Sequence, residues 1–358
     1  NGLLASRWCR RMYPPGFTLL INSHPAKTAT PTRLWRRQNE AALLMFYIPK
    51  RDYARRQMEE GLFRQGDIIE LYYGLGGAGQ RVFYGYLPST KSDRPLTDAA
   101  DRIEFTASDF VGQLNDHIVA LLVDEQTTIA VTADIAIDPS GWEIGGFVAH
   151  LVQRVIDYQF GTLSFSIQGI QGTTPSQAIT AQNAITGIKT VKSFIDAYTD
   201  LAFDDDPYPN TPLRYEYGQR DQYFIWRKQE SLSTGTIALR LTLGKDAVLD
   251  GAVSTMPIYT DAIATPQKTS YRFHHADRDS SRRWGGRRFV QSVTTTGTYL
   301  ADAQELAVRS VELFKLEQVS FSILTAGDAF LLYPGDLISL WNAEAFGLTS
   351  GNYRVSEV

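Results

Sequence analysis

The chain of 358 residues contains one cysteine, Cys9, so no disulfide bond can form within it. A single thiol fits folding in a reducing cytosol and excludes zinc sites that need several cysteines. The chain also lacks an excess of positive charge, since its formal net charge is -4 and its pI is about 5.8. A general nucleic-acid-binding protein usually carries a strong positive charge, so this class is disfavoured.

Long apolar stretches are also absent. The longest, residues 41–48, is less than half of the roughly 20 residues that a membrane-spanning helix needs, and it predicts a strand and no membrane insertion. The first 17 residues contain three arginines but no continuous apolar segment, so no signal peptide is predicted. Because the sequence stops at Val358 within a predicted strand, we expect the chain to be part of a longer polypeptide.

Familiar catalytic motifs are missing as well. Neither a Gly-x-Ser-x-Gly nucleophile elbow nor a Gly-x-x-x-x-Gly-Lys-Ser/Thr phosphate loop occurs in the sequence. The glycine run of residues 74–79 precedes a strand and not a helix, so it predicts a hairpin loop and not a phosphate site.

His274, His275 and Asp277 form the densest group of potential metal ligands. Adjacent side chains of an extended segment point to opposite faces, so both histidines cannot easily reach one ion. The acidic run 204–206 lacks the spacing of a calcium loop and indicates a helix end. We therefore expect no catalytic, cofactor-binding or metal-binding residue, although a glycosidase carboxylate pair from separate strands could not be recognised in the sequence.

What the sequence does contain is a seven-residue phrase that occurs twice. The sequence of residues 66–72 is repeated in similar form at residues 335–341, and an Arg-Val pair follows each copy, at 81–82 and at 354–355. Each copy predicts a turn that leads into a strand with an apolar inner face. The repeated positions are Gly66, Asp67, Ile69 and Leu71 in the first copy and Gly335, Asp336, Ile338 and Leu340 in the second. The phrase favours two related β-domains, although Gly-Asp turns before apolar strands are also common without duplication.

The predicted fold class is mainly β with an α+β insertion, in three domains. Residues 1–118 are predicted to form a first β-barrel domain, and residues 119–232 a small α+β middle domain. Residues 233–358 are predicted to form a second, related β-barrel domain that includes a late helix at 299–317.

Apolar periodicity also predicts the middle domain's elements. A capping box at residues 140–143 begins one predicted helix, a second helix is predicted at 189–202, and a hairpin is predicted to turn at Gly218. The late helix is predicted to pack on the second β-domain, through an apolar stripe formed by Leu306, Leu313 and Phe314.

Arginine is concentrated in residues 272–288, which read as a loop-like stretch. The arginines are Arg272, Arg278, Arg282, Arg283, Arg287 and Arg288. Clustered guanidinium groups bind phosphate or a neighbouring acidic surface. In an acidic protein, a subunit contact through Arg282, Arg283, Arg287 and Arg288 is favoured over nucleic acid, and a solvated loop with local ion pairs stays open.

The order of these signals resembles that of the baseplate hub proteins of tailed bacteriophages, which are related to the hub region of type VI secretion spikes and of other contractile injection systems. The resemblance rests on residues 66–69, 81–86, 103–110, 332–338 and 351–355, in this order. Residues 281–288 also resemble the family's segment before the late helix, where Tyr-Gly-Arg is commoner than the Trp284-Gly285-Gly286-Arg287 of this chain.

The resemblance implies a structural protein without catalytic residues or cofactors. Three chains, each with two tube-like β-domains, would form a ring of six similar domains. The implied partners are two further copies in a homotrimer, a tail tube or distal tail protein, a central spike protein and baseplate wedge proteins, with genomic DNA passing through the lumen. The chain would act in the baseplate of a virion tail, after assembly in the host cytoplasm.

Two other classes stay open. A tail-associated hydrolase acting on cell wall or surface polysaccharide could conceal its acid pair in separate strands. A carbohydrate-binding module would use exposed aromatic residues, which 18 tyrosines and 6 tryptophans could supply. Neither class explains the repeated phrase, and turnover or binding of peptidoglycan and polysaccharides would distinguish both from a hub.

Overall fold

The computed structural model describes residues 16–59, 61–74, 79–88, 102–116, 142–158, 166–170, 190–205, 212–255, 257–266, 271–295, 300–315, 319–325 and 328–358. The chain divides into two compact units: unit 1 comprises Asn1–Gln113, Gly218–Tyr223 and Glu357–Val358, and unit 2 comprises Leu114–Tyr217 and Phe224–Ser356.

The chain is mainly β, with several sheets, as predicted. The three predicted domain boundaries stay a prediction. None of the helices in the described parts of the chain is both long and apolar enough to span a membrane.

Unit 1 is built on one antiparallel sheet in the order β2-β1-β5-β6-β7-β4-β3. Its elements are β1 (Gly16–Ile21), β2 (His24–Pro25), β3 (Thr30–Trp35), β4 (Leu43–Pro49), α1 (Lys50–Glu59), β5 (Ile68–Gly74), β6 (Gln80–Tyr86) and β7 (Arg102–Asp109), followed by a 3-10 helix, Phe110–Asn115. Strands β1 and β3 lie near opposite ends of this order yet approach each other, so the sheet is curled. The glycine run joins β5 to β6, which pair through Tyr73 and Gln80, so the predicted hairpin is confirmed.

An aromatic cluster fills the curled sheet of unit 1. The ring of Phe105 stacks on those of Phe46 and Phe63, with centroids 5.5 and 5.2 Å apart. Tyr53 of α1 meets Phe63 and Phe105 at 5.5 and 5.7 Å. Each such aromatic pair contributes about 0.5–1.5 kcal/mol beyond its buried area, so the cluster fixes α1 on the sheet.

The first part of unit 2 combines two helices with a four-stranded sheet, ordered β8-β11-β10-β9. The elements are α2 (Ile144–Tyr158), β8 (Ser166–Ile170), α3 (Val191–Leu201), β9 (Phe203–Asp205), β10 (Pro212–Arg220) and β11 (Tyr223–Lys228). The predicted apolar faces are confirmed, since Ile144, Phe147, Val148, Leu151 and Val155 of α2 and Val191, Phe194, Ile195 and Tyr198 of α3 are buried. The proposed capping residue Ser140 and the side chain of Leu201, the last residue predicted for the apolar face of α3, lie outside the described residues.

The predicted position of the hairpin turn is wrong. Strand β10 continues through Gly218 to Arg220, and the turn lies at Asp221 and Gln222. Asp221 has φ +55°, a left-handed conformation that aspartate tolerates because its short polar side chain can bond locally. Gly218 is an ordinary strand residue, so a glycine alone was a poor guide to where the chain reverses.

The second part of unit 2 contains three small sheets, ordered β12-β18-β19, β13-β17 and β15-β14-β16. The elements are β12 (Ile237–Thr242), β13 (Ala247–Thr255), β14 (Asp261–Pro266), β15 (Phe273–Ala276), α4 (Arg278–Arg283), β16 (Val290–Thr295), α5 (Leu300–Phe314), β17 (Val319–Thr325), β18 (Leu337–Trp341) and β19 (Gly351–Arg354). Strand β18 lies between a parallel partner, β12, and an antiparallel partner, β19.

Helix α5 is the predicted late helix, but its packing differs from the prediction. Among its described side chains, the fully buried ones are the small Ala303, Ala307 and Val311, which pack on Ala262 and Ala264 of β14. Leu306 packs at the border of this cluster, and Phe314 is half-buried, with its ring edge-on to Tyr259 at 6.0 Å. The side chain of Leu313 lies outside the described residues. Small residues allow the helix to approach the sheet closely, so the large residues serve as flanks.

Candidate functional site

The first copy of the repeated phrase forms a tight turn before β5. The N–H of Asp67 donates to the carbonyl of Arg64 at 3.1 Å, and its carboxylate Oδ2 accepts the N–H of Arg64 at 2.8 Å. Gly66 has φ +90°, as the third residue of a type II turn requires. The turn is tied to the end of β6, because Gly66 N–H donates to Leu87 O at 2.9 Å and Leu87 N–H donates to Asp67 O at 3.0 Å.

The second copy repeats this turn bond for bond. Asp336 N–H donates to Tyr333 O at 3.1 Å, and Asp336 Oδ2 accepts Tyr333 N–H at 2.8 Å. Gly335, with φ +91°, donates its N–H to Val355 O at 2.7 Å, and Val355 N–H donates to Asp336 O at 2.9 Å. The prediction of a turn leading into a strand is therefore confirmed for both copies.

The strand pairing also confirms the buried positions and corrects the register of the repeat. Ile69, Leu71, Ile338 and Leu340 are all buried. Ile68 pairs with Tyr86, whereas Leu337 pairs with Arg354, so the counterpart of Arg354 is Tyr86 and that of Val355 is Leu87. The two Arg-Val pairs are thus not equivalent, because the register of a hairpin is set by its turn and loop and not by identical residue types in the sequence.

Beyond the hairpin, the two copies differ. The strand on the other side of β5 is the antiparallel β1, whereas the strand on the other side of β18 is the parallel β12. The exposed side of the first hairpin is covered by a charged network: Arg81 Nη1 lies 2.9 Å from Glu70 Oε2, Arg81 Nε pairs with Asp221, and Tyr72 O–H donates to Glu70 at 2.8 Å. The positions corresponding to Glu70 and Tyr72 are Ser339 and Trp341, and Trp341 is exposed.

The arginine-rich segment surrounds a buried carboxylate that sequence reasoning missed. Asp261 is fully buried and accepts hydrogen bonds from Arg288 Nε and Thr260 Oγ1, both at 2.9 Å, with His274 Nε2 3.0 Å away. Burial alone would raise the pKa of Asp261, but the bonds from Arg288, Thr260 and His274 outweigh it and hold this pKa below its ordinary value. Arg288 therefore has a structural partner in its own chain. That partner, Asp261, lies at the start of β14, and the sequence spacing gives no signal of the pairing.

The other predicted interface arginines have weaker ties to the chain. Arg282 pairs with Asp279 at 3.2 Å on the exposed side of α4, a contact that contributes little. Arg283 and Arg287 are exposed, and neither has an ionic partner among the residues that the structure describes. They flank a turn in which Gly285 and Gly286 have φ +71° and +74°. An interface role for the four predicted arginines stays a prediction.

The histidine cluster does not assemble a metal site in the described ranges, where no group of three or more His, Cys, Asp or Glu is placed to hold an ion. His274 pairs across β14 with Ile263 and His275 with Ala262, so the two side chains point to opposite faces. Asp277 caps α4, accepting Ser280 N–H at 2.9 Å and Lys315 Nζ at 3.1 Å. The Ser280 amide and Lys315 together lower the pKa of Asp277 despite partial burial.

These features define a β-rich chain, and its fold resembles that of a solved tail protein. The tail protein from Neisseria meningitidis MC58 matches this chain with a TM-score of 0.59 and 10% identity, over 96% of this chain and 91% of that one. At this identity, the likeness shows the fold and not the activity. Neither a protein-family model nor a curated protein matches the sequence.

Two further solved structures match less well. One is the Escherichia coli c3393 protein, a component of the type VI secretion system described as similar to the T4 bacteriophage tail proteins gp27 and gp5; its TM-score is 0.43 at 10% identity, over 95% of this chain and 71% of that one. The other is the Francisella PdpA-VgrG complex, with a TM-score of 0.38 at 13% identity, over 82% of this chain and 47% of that one.

Proposed function

We propose that this chain is the structural hub of a phage tail baseplate or of a related injection particle. Three copies form a ring that joins a sixfold tail tube to a threefold central spike and encloses the channel for DNA ejection. The chain acts by assembly and not by catalysis. It works in the tail of the virion, after assembly in the host cytoplasm.

The observation that carries the proposal is the likeness to the Neisseria tail protein, because it extends over 96% of this chain and 91% of that one. A match over nearly the full length of both chains supports a shared overall role better than a match confined to one common sheet would. Fold alone does not dictate function, so assembly has to be measured.

The doubled turn supports the trimer in particular. Both Gly-Asp turns use the same four hydrogen bonds to join a β-hairpin, one in each unit. If each hairpin marks one tube-like domain, a closed ring of three chains contains six such domains. This arrangement would meet a sixfold tube on one side and a threefold spike on the other.

The mass of the assembled chain tests the proposal directly. Multi-angle light scattering over a concentration series should show a species near three times 40.1 kDa. Electron microscopy of that species should show a ring with threefold symmetry and an open centre. A chain that stays monomeric at every concentration, or that forms a ring of six copies, contradicts the adaptor arrangement.

A parallel assay addresses the alternative of a tail-associated hydrolase. The purified chain is incubated with peptidoglycan and with common polysaccharides, and released reducing ends are measured. We expect no release above that of heat-denatured protein. Turnover by the native chain would favour the hydrolase, in which a carboxylate pair from separate strands would supply the acid and the nucleophile or base.

A further inference from the structure

Unit 2 exposes a group of large apolar side chains close to the second Gly-Asp hairpin. Trp341, Leu324 and Val248 are 60%, 61% and 59% exposed, and Phe346 is also exposed. Val248 pairs directly with Leu324 across β13 and β17, and Trp341 pairs with Thr242 across β18 and β12. We name Val248, Leu324, Trp341 and Phe346 the Trp341 patch.

The loop after β12 holds the parts of this patch together. Thr242 N–H donates to Asp246 Oδ2 at 3.2 Å, and Thr325 Oγ1 donates to Asp246 O at 2.9 Å, which ties the end of β12 to the β13–β17 ribbon. Phe346 lies against Gly244 of the same loop, since a Cβ on that glycine would be 3.6 Å from its ring. The strands and the loop that carry these side chains are therefore joined to one another by the fold.

The charges around the patch are mixed, with an excess of one carboxylate. Exposed carboxylates belong to Asp246, Asp250 and Glu344, and exposed cations to Arg240 and Lys245. Asp250 lies two residues from Val248 on β13, so the two side chains share a face of the ribbon. Apolar side chains with the Asp250 carboxylate beside them suit a partner that brings guanidinium groups, because arginine binds carboxylates and also stacks on tryptophan.

The first hairpin supplies an internal precedent for such an occupant. On its corresponding side, the guanidinium of Arg81 lies 4.5 Å above the ring of Tyr84 and pairs with Glu70 and Asp221. In the second hairpin, no described residue plays this part at Trp341, which is left exposed. At this position, one hairpin is thus covered by the chain's own arginine, whereas the other presents an exposed tryptophan.

The exposed turn after α4 offers the matching groups. Arg283 and Arg287 are exposed without an ionic partner among the described residues, and Val290, at the start of β16, is 50% exposed. We define Arg283, Arg287 and Val290 as the arginine patch. Two complementary patches on different sheets of one chain produce a head-to-tail contact, which closes into a ring when the rotation permits.

We infer that the Trp341 patch of one chain binds the arginine patch of a second copy, with Trp341 stacking on Arg283 or Arg287 and Asp250 providing a carboxylate partner. The inference rests on the proposed function in that it assigns the contact that closes the trimer. Tryptophan and arginine are the residues most often found to dominate binding energy at the centre of an interface, so we expect a few side chains to control assembly.

Single-patch variants of the full chain test this assignment by sedimentation velocity. Trp341→Gln, and separately the pair Arg283→Glu and Arg287→Glu, should each weaken trimer formation by at least about tenfold. Matched controls are Trp142→Gln, which changes another exposed tryptophan, and the pair Arg33→Glu and Arg51→Glu, which makes the same charge change on exposed arginines of unit 1. The controls should assemble like the wild type.

Mixing the two defective chains separates a head-to-tail contact from other arrangements. The Trp341→Gln chain keeps an intact arginine patch, and the Arg283→Glu, Arg287→Glu chain keeps an intact Trp341 patch. An equimolar mixture should therefore form one good contact and give a species near twice 40.1 kDa, although neither chain associates alone. A mixture that stays monomeric overturns the inference, and shows that the patches meet another partner or meet like with like.

Crosslinking provides a second readout, because it captures contacts even when they are short-lived. In a Cys9→Ser background, Asp250→Cys and Arg287→Cys in one chain should give dimer and trimer bands with a short bismaleimide, whereas either new cysteine alone should not. If the wild type forms trimers but the patch variants assemble normally and these cysteines do not crosslink, the inference is wrong and the proposed function stands. A wild-type chain that never associates overturns both.

Discussion

In each Gly-Asp turn, Oδ2 of the aspartate bonds within the turn and is called the inner oxygen here, and Oδ1 is called the outer oxygen. The outer oxygen of Asp67 accepts a hydrogen bond from the neutral side chain of Asn22 at 2.9 Å. In the second turn, the outer oxygen of Asp336 faces the guanidinium of Arg227 at 3.7 Å, and Arg227 also pairs with the buried carboxylate of Glu216 at 3.1 Å. The inner oxygens of the two aspartates make the same bond at the same length, 2.8 Å. The same turn therefore lies in a neutral environment in the first copy and in an ionic environment in the second.

This difference separates what the turn determines from what its surroundings determine. Glycine supplies the positive φ, and aspartate caps the turn, so both copies lead the chain into a hairpin with the same register. The neighbouring strand, the covering side chains and the charges are free to vary between the copies. Duplication of a whole domain stays a prediction, because β1 and β12 run in opposite directions relative to their hairpins.

The largest expected effects come from the buried positions that the two copies share. Leu71 and Leu340 occupy the same place in the repeat and are each 1% exposed. Leu71→Ala and Leu340→Ala should each lower the free energy of unfolding of their own unit by about 2–5 kcal/mol, because each leaves a cavity. Hydrogen exchange of peptides spanning residues 64–87 and 333–355 measures the two losses separately. Equal losses strengthen the comparison, and a loss below about 1 kcal/mol in one copy would break it.

The second prediction concerns a buried carboxyl beside the first hairpin only. Asp109 of β7 pairs with Gly85 of β6, and burial raises its pKa to about 7 although the amides of Ala42, Val111 and Gly112 and the charge of Arg36 favour ionisation. Between about pH 4 and 7 the folded unit keeps a proton that the unfolded chain releases, so stability falls as pH rises through this window. The expected loss is up to about 4 kcal/mol at pH 8 relative to pH 4.

The control for this prediction is Asp109→Asn, which keeps an oxygen acceptor and cannot ionise. The difference between the wild type and this variant removes the contributions of all other titrating groups. We expect that difference in peptides spanning residues 102–116 and 64–87, and no difference in peptides spanning 333–355. If the wild type and the variant lose protection equally between pH 4 and 8, Asp109 does not titrate as described.

A third pair of variants compares the glycines of the two turns. A Cβ at Gly66 would meet nothing within 4 Å, whereas a Cβ at Gly335 would overlap the carboxylate of Glu216. Gly66→Ala should cost about 1–2 kcal/mol for its positive φ alone. Gly335→Ala should cost about 3 kcal/mol, because Glu216 is buried and held by Arg227 and cannot easily move aside.

A double-mutant cycle isolates the steric part of this difference. In a Glu216→Ser background the carboxylate is gone, so the additional cost of Gly335→Ala should shrink to that of Gly66→Ala. If Gly335→Ala costs the same in both backgrounds, the contact with Glu216 does not explain the difference between the copies.

The sequence predicted local features of this fold better than it predicted partnerships. Periodicity located helices α2, α3 and α5, and the Gly-Asp phrase located both turns, because these features depend on residues close together in the chain. It missed the ties of Arg288 to Asp261 and of Arg81 to Asp221, which join different elements. It also aligned the two Arg-Val pairs wrongly, since strand pairing decides which residues correspond. Long-range partners of charged residues leave no periodic signal in a single sequence.

The smallest expected effect concerns the outer oxygens of the two aspartates. In Asp67→Asn, the NH2 group of the new side chain is a donor. It must face either the N–H of Arg64 or the NH2 group of Asn22, and both of these are donors too. Asn22 cannot rotate to accommodate it, because its Oδ1 already accepts the N–H of Ile68 at 2.8 Å. The substitution should cost about 1 kcal/mol through this unmatched donor. Since both partners are neutral, the cost should be the same in low and high salt.

Asp336→Asn should differ from Asp67→Asn in its response to salt. It removes a negative charge that faces Arg227, so part of its cost is electrostatic and should diminish as salt screens the pair. The screening is incomplete, because the side chains of Arg227 and Asp336 are only 18% and 12% exposed. Hydrogen exchange of the two hairpins at about 0.1 and 1 M salt compares the variants. A salt-dependent cost for Asp67→Asn, or a salt-independent cost for Asp336→Asn, would mean that the neutral and ionic environments assigned to the two turns do not govern their stability.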